Sequence, residues 1–183
     1  MQLMILTGAS ASGKTAIAKA IEARTPAVAR VRYFDSIGVP TESEMTARWG
    51  SGEEWQRDTT LKWIARLKRE SDSHRSPILF EGQMRIAFIR EALDAIGMQN
   101  AHVILVDCND ETRATRLIKH RGQSELANPT MMSWAACLRK EANAEGVEIL
   151  DTTKVSLVAA VQCISDRLLH TFVSDLSDGE SGK

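Results

Sequence analysis

Residues Gly8 to Thr15 read Gly-Ala-Ser-Ala-Ser-Gly-Lys-Thr and satisfy the spacing G-x-x-x-x-G-K-[ST] at every fixed position. The apolar run Leu3-Met4-Ile5-Leu6 precedes them and suits a buried strand. Ala16 to Ala23 follow and are rich in helix formers. Strand, loop and helix is the context in which this spacing cradles an anion. Small residues and glycines let successive backbone N–H groups fold around a phosphate, and the helix contributes the positive end of its dipole. The predicted nucleotide-phosphate site is therefore Gly8, Ala9, Ser10, Ala11, Ser12, Gly13, Lys14 and Thr15. Lys14 reaches the β- and γ-phosphates, and the Thr15 hydroxyl is a ligand for Mg²⁺. A plain glycine-rich connector has no reason to set Lys and Thr directly after its second glycine.

The rest of the chain alternates apolar runs with helical patterns. Val31 to Phe34, Pro77 to Gly82, Val103 to Asp107 and Val147 to Leu150 read as four further strands. Helices are predicted over Thr41 to Arg48, Glu53 to about Glu70, Ile86 to Ile96, Thr112 to His120, Thr130 to Glu145 and Val155 to Phe172, with Arg24-Thr25-Pro26 closing the first. Thr41 followed by Glu44 is a capping box. Repeated β-to-α steps imply an α/β fold with a parallel sheet covered on both faces. At 183 residues the chain is one domain, 1–173. It carries a helical insert at about 41–70, a polar loop at about 121–129 that reads as a lid, and a flexible tail at 174–183.

Composition excludes several classes. Lys plus Arg number 23 against 24 Asp plus Glu, a net charge of −1, so neither a nucleic acid nor a membrane is expected as partner. Three widely separated cysteines give no disulfide framework and no close zinc pairs. With no basic leader and no apolar run of about 18 residues, a cytoplasmic protein is expected.

Three acids end strands or follow them. Asp35 follows the second strand and should face the crevice that holds the phosphate loop. Glu81 ends the third strand ahead of Gly82, and Asp107 ends the fourth; either could hold a metal water, or Asp107 could cap the next helix. Trp49, Trp55 and Trp63 could stack on a planar substrate or fill core, with Trp49 the foremost for stacking.

Taken together these segments resemble the small P-loop kinases: nucleoside monophosphate kinases, shikimate kinase, gluconate kinase and chloramphenicol phosphotransferase. The resemblance rests on Gly8 to Thr15, Phe34-Asp35-Ser36, Glu81-Gly82-Gln83-Met84-Arg85, Arg116 and Arg121 beside the lid, and Ile149-Leu150-Asp151-Thr152. It implies a three-layer P-loop NTPase fold, sheet order 2-3-1-4-5, with ATP and Mg²⁺ as cofactors. It further implies that Arg116 lies against the adenine and that Arg121 reaches the transferred phosphoryl group, with Arg139 a further candidate. Arg85 would grip an anionic group on the acceptor, Glu81 would manage the metal with Thr15, and Asp35 would orient the acceptor and receive its proton. The expected activity is transfer of the γ-phosphoryl group of ATP to a hydroxyl or phosphate on a small molecule, by Lys14, Asp35 and Arg121. The competing expectation is an ATP-dependent switch or hydrolase working with a protein or nucleic-acid partner. Monomer and homodimer are both compatible with the sequence.

Overall fold

The computed structural model describes residues 3–24, 29–74, 76–98 and 100–178, with side chains to 169. The Thr25-Pro26 stop and the last five residues of the expected tail lie outside the described residues. Five strands form one sheet: β1 (Leu3–Thr7), β2 (Arg30–Tyr33), β3 (Ile78–Glu81), β4 (Ala101–Asp107) and β5 (Glu148–Asp151). All pairings are parallel and the order is β2-β3-β1-β4-β5. The central strand β1 is buried at all five residues, which is what an uninterrupted apolar run in a doubly covered sheet requires.

Alternate side chains of the strands feed two cores. On one face Ile5, Phe80 and Leu105 pack with Trp63, Ile64 and Leu67 of α3 (Gly52–Ser73), Ile89 of α4 (Ile86–Ile96) and Leu138 of α6 (Pro129–Ala144). On the other, Met4, Leu6, Leu79 and Val106 pack with Ile17 and Ile21 of α1 (Lys14–Arg24) and Ile164 and Leu168 of α7 (Leu157–Asp178). The result is the three-layer α/β sandwich. No helix among the described residues is long and apolar enough to cross a membrane.

Register puts the chemistry at one edge. Leu6 pairs with Glu81, Tyr33 with Glu81 and Asp107 with Asp151, so the carboxyl ends of all five strands open onto the phosphate loop. Between β2 and β3 come α2 (Glu42–Trp49) and α3. Thr41 and Glu44 cap α2 reciprocally, and the Ser51 hydroxyl accepts the Glu54 N–H at the start of α3.

Two local readings are corrected. β2 stops at Tyr33, and Phe34–Ile37 winds into a 3₁₀ turn that carries Asp35. Phe34 lies against Gly82, where an added Cβ would fall 2.4 Å from the Phe34 Cβ, and its carbonyl accepts from the Trp63 indole instead of a strand neighbour. The helix expected over Thr112 to His120 is instead α5 (Asp110–Thr115), capped by Asn109, running into a π-helical turn at Arg116–His120. Such widened turns are frequent at functional sites; Arg116, which opens this one, donates to the phosphate loop, as does Arg113 from α5.

Candidate functional site

The loop from Gly8 to Gly13 is a nest held from outside. An added Cβ at Gly8 would fall 2.2 Å from the Val106 carbonyl oxygen, so only glycine lets the loop leave β1 so close to β4. Ala11 has φ 61°, a left-handed conformation that L-residues adopt only when their surroundings impose it. Two arginines impose it. Arg113, fully buried, donates from Nη1 to the Ser10 carbonyl at 2.7 Å. Arg116 donates from Nη1 to the Ala11 and Ser12 carbonyls at 3.2 and 3.3 Å. The Thr152 hydroxyl donates to the Ser12 carbonyl at 2.6 Å. With their carbonyls drawn outward, the peptide N–H groups of the loop can turn inward on an anion, apart from that of Ser12, which donates to the Ala9 carbonyl at 3.3 Å. The Ser12 hydroxyl is buried and has no partner among the described residues, an open polar position in a cradle of this kind.

At the head of α1, Lys14 is buried with Nζ 3.5 Å from Glu81 Oε1, and the Thr15 hydroxyl donates to that same oxygen at 3.0 Å. Burial lowers the Lys14 pKa; Glu81 and Asp35 oppose that shift by attraction and Arg121 adds to it by repulsion. Asp35 and Arg121 are therefore both within electrostatic reach of Lys14. Asp35 is exposed on its 3₁₀ turn and Arg121 is exposed after the π-helical turn, open positions for groups that meet a substrate.

The two strand-end acids divide. Asp107 Oδ1 accepts from Arg113 Nη2 at 2.6 Å and its Oδ2 from Arg139 Nε at 2.7 Å. Both oxygens are thus engaged by guanidinium groups, and Arg139 serves this pair. Glu81 instead faces a hydroxyl and an ammonium. A carboxylate and a hydroxyl converging in this way suit Mg²⁺, which takes hard oxygen ligands and usually completes its shell with waters and substrate phosphates. No cluster of three His, Cys, Asp or Glu suited to a metal occurs among the described residues, so a metal here would depend on the nucleotide as well.

Arg85 sits where the sequence expects it, after β3, but two carboxylates hold it. Its Nε donates to Glu141 Oε1 at 2.8 Å, Nη2 pairs with the same carboxylate and Nη1 with Glu53. Glu141 Oε2 also accepts the Ile86 N–H at 2.9 Å, capping α4. Arg85 so ties α3, α4 and α6 together around the 82–85 segment. The Gln56 side chain secures that segment at the Gln83 carbonyl and the Arg85 N–H, both at 3.0 Å. Arg85→Ala is expected to lower stability by about 1–3 kcal/mol in denaturant unfolding, the worth of charge-assisted hydrogen bonds left unpartnered. An unchanged unfolding midpoint would mean that these pairs do not hold the segment.

Arg116, expected against the adenine, spends four hydrogen bonds on the loop and on Thr152, including Nη2 to the Thr152 carbonyl at 2.7 Å. It still borders a cleft of about 480 Å³ that runs from Gly13, Lys14 and Thr15 past Arg121 to Val155 and Leu157 on the approach to α7. That volume is within the range of small-molecule sites. Trp49 is elsewhere, at a second cleft beside α2 and α3. Sequence reasoning missed Arg113, Gln56 and Glu141. Arg113 looks like one more cation on a basic helix, and only its register with Asp107 and Ser10 across the fold reveals its burial.

No family model matches the chain, and no curated protein matches it. Solved structures do. The chain is similar to a gluconokinase from Sinorhizobium meliloti 1021, at 16% identity over 98% of this chain and 97% of that one, TM-score 0.61. A tunicamycin resistance protein from Deinococcus radiodurans is similar at 15% identity over 93% and 95%, TM-score 0.61. Deoxyadenosine kinase from M. mycoides, solved with bound dATP, is similar at 11% identity over 91% and 98%, TM-score 0.58. At such identities the likeness is one of fold, and the fold is the five-stranded parallel P-loop architecture of the gluconokinase and the deoxyadenosine kinase.

Proposed function

We propose that the chain is an ATP-dependent kinase that moves the γ-phosphoryl group to a small-molecule acceptor. The observation that carries this reading is the arrangement around Lys14: Glu81 meets both Lys14 and Thr15, Arg121 lines the same cleft, and Asp35 sits on the turn after β2 at the same edge of the sheet. A loop that binds phosphate needs only the first half. An exposed acid on the turn after β2 supplies a place for an acceptor oxygen.

The loop N–H groups and Lys14 bind the β- and γ-phosphates. Thr15 and Glu81 would hold Mg²⁺, which when bound neutralises phosphate charge. Asp35 orients the acceptor hydroxyl in line and takes its proton as the new P–O bond forms and the bond to the bridging oxygen of the departing ADP breaks. Arg121, from the 121–129 segment, closes over the developing equatorial charge and helps keep water out. A hydroxyl acceptor suits Asp35 better than an already ionised phosphate.

The test is γ-labelled ATP with Mg²⁺ against a panel of hydroxylated metabolites, with product resolved from free phosphate. Labelled small molecule is the expected result. ATP hydrolysis that rises only with an added protein or nucleic acid would favour the switch or hydrolase instead. Asp35→Asn should retain ADP binding and lose transfer by about a hundredfold or more, the usual worth of a general base. Equal loss of both would move Asp35 into the nucleotide site.

A further inference from the structure

The cleft at the phosphate loop takes three of its lining residues from the end of the π-helical turn and its start: Arg116, His120 and Arg121. Their spacing is that of the turn itself. In an α-helix the residue five places on points about 140° away from the first, so Lys119 and His120 would flank Arg116 and Arg121 would not. Here the Arg121 N–H donates to the Arg116 carbonyl five residues back, which brings Arg121 over Arg116 and leaves Lys119 outside the cleft. The widened turn exchanges an ammonium for a guanidinium at the cleft and keeps His120 beside it.

The turn is anchored on both sides of these residues. Its first residue, Arg116, is bonded through the guanidinium to the carbonyls of Ala11, Ser12 and Thr152, and its second, Leu117, is fully buried. Beyond it Gly122 has φ 62°, and the Gln123 N–H donates back to the Leu117 carbonyl at 2.9 Å, the closing bond of a helix that stops on a left-handed glycine. Ile118 and Lys119 face solvent. The backbone of His120 is therefore fixed between two anchors, while its ring has no hydrogen bond or ion pair to any described residue. Lys14, Lys19, Arg116, His120 and Arg121 are the basic side chains that line the cleft, and no carboxylate lines it with them. Lys14 is engaged by Glu81 and Arg116 by the loop. An imidazole preplaced and unpaired in such a cleft suits an oxygen of a bound anion.

We propose that His120 is a nucleotide-binding residue that donates a ring N–H to a phosphate or ribose oxygen, and that the widened turn is what sets it and Arg121 side by side for that ligand. The inference rests on the reading of the cleft as a nucleotide site and is independent of phosphoryl transfer.

ADP affinity, measured by calorimetry on the full chain, tests this without any turnover. His120→Ala should weaken ADP about threefold to tenfold, the worth of one hydrogen bond, and Arg121→Met by at least as much. Lys119→Ala, one residue away and equally exposed, should change it by less than about twofold. On addition of ADP the His120 ring proton resonances, assigned by their absence from the spectrum of His120→Gln, should shift. A histidine present only to offset the carbonyl end of the turn would change the melting temperature and leave ADP affinity alone. That result, or an unmoved His120 resonance, would overturn the proposal. A loss in Lys119→Ala equal to that in Arg121→Met would overturn it as well, because it would mean an α-helical register. Pyrophosphate separates the two kinds of oxygen: an equal loss for pyrophosphate and ADP in His120→Ala assigns the phosphate, and a loss confined to ADP assigns the ribose. A wild-type chain that binds no ADP would overturn the nucleotide reading of the cleft and this inference with it. ADP binding that depends on His120, with no labelled product from any acceptor in the γ-labelled ATP assay, would keep this inference and overturn the kinase reading.

Discussion

Lys14→Met is expected to slow phosphoryl transfer by about a hundredfold to a thousandfold, the cost of deleting one preorganised positive group at developing charge, while the protein stays folded. Lys14 opens α1 and is buried, yet its ammonium serves no core contact; it meets Glu81 at 3.5 Å and faces the cradle. Its lowered pKa means that burial outweighs the attraction of Glu81 and Asp35. With the folded value below the unfolded one, a protonated Lys14 costs stability at every pH under the folded pKa, and the cost fades as pH rises toward the ordinary lysine value. Removing the charge relieves that cost. It also leaves the buried Glu81 carboxylate with the Thr15 hydroxyl alone, so the melting temperature of Lys14→Met should stay near that of wild type, with turnover and ADP affinity both reduced. A variant that transfers phosphoryl at the wild-type rate would remove Lys14 from the site, and one that unfolds would show that the ammonium holds the fold.

Residues whose place at the candidate site depends on local sequence were legible, and those held there by a distant partner were not. The phosphate loop is contiguous, so its spacing alone carries it. Asp35, Glu81 and Asp107 are visible because each marks the carboxyl end of an apolar run, and parallel topology brings all such ends to one edge. The sheet order came from the family resemblance, since periodicity yields strands but not their neighbours. The choice between Glu81 and Asp107 needed side-chain geometry: Asp107 is engaged by Arg113 and Arg139, the latter 32 residues away. The partners of Arg85 lie 32 and 56 residues off at Glu53 and Glu141, and no local pattern announces them. Arg116 shows the same limit from the other side. Its position beside the lid was readable, whereas its bonds to carbonyls more than a hundred residues upstream were not.

Arg113 carries the largest expected effect on stability. It is fully buried, and it joins Asp107, the Cys108 carbonyl and the Ser10 carbonyl in one guanidinium plane. Arg113→Met should cost about 3–5 kcal/mol in denaturant unfolding, because it strands a buried carboxylate that then has Arg139 alone. Asp107→Leu strands the buried guanidinium and should cost a similar amount. The double variant separates charge pairing from loop support. With both charges gone, a buried pair replaced by apolar side chains often recovers much of the single-variant loss, so the double variant should be more stable than Arg113→Met. The Ser10 carbonyl, however, is still without its donor, and the peptide that shapes the nest loses its outward pull. ADP affinity, measured well below the melting temperature, should therefore remain depressed in the double variant as in Arg113→Met. Recovery of stability together with wild-type ADP affinity would mean that Arg113 only balances Asp107. Recovery of stability without affinity would identify it as the residue that holds the phosphate loop open for its ligand.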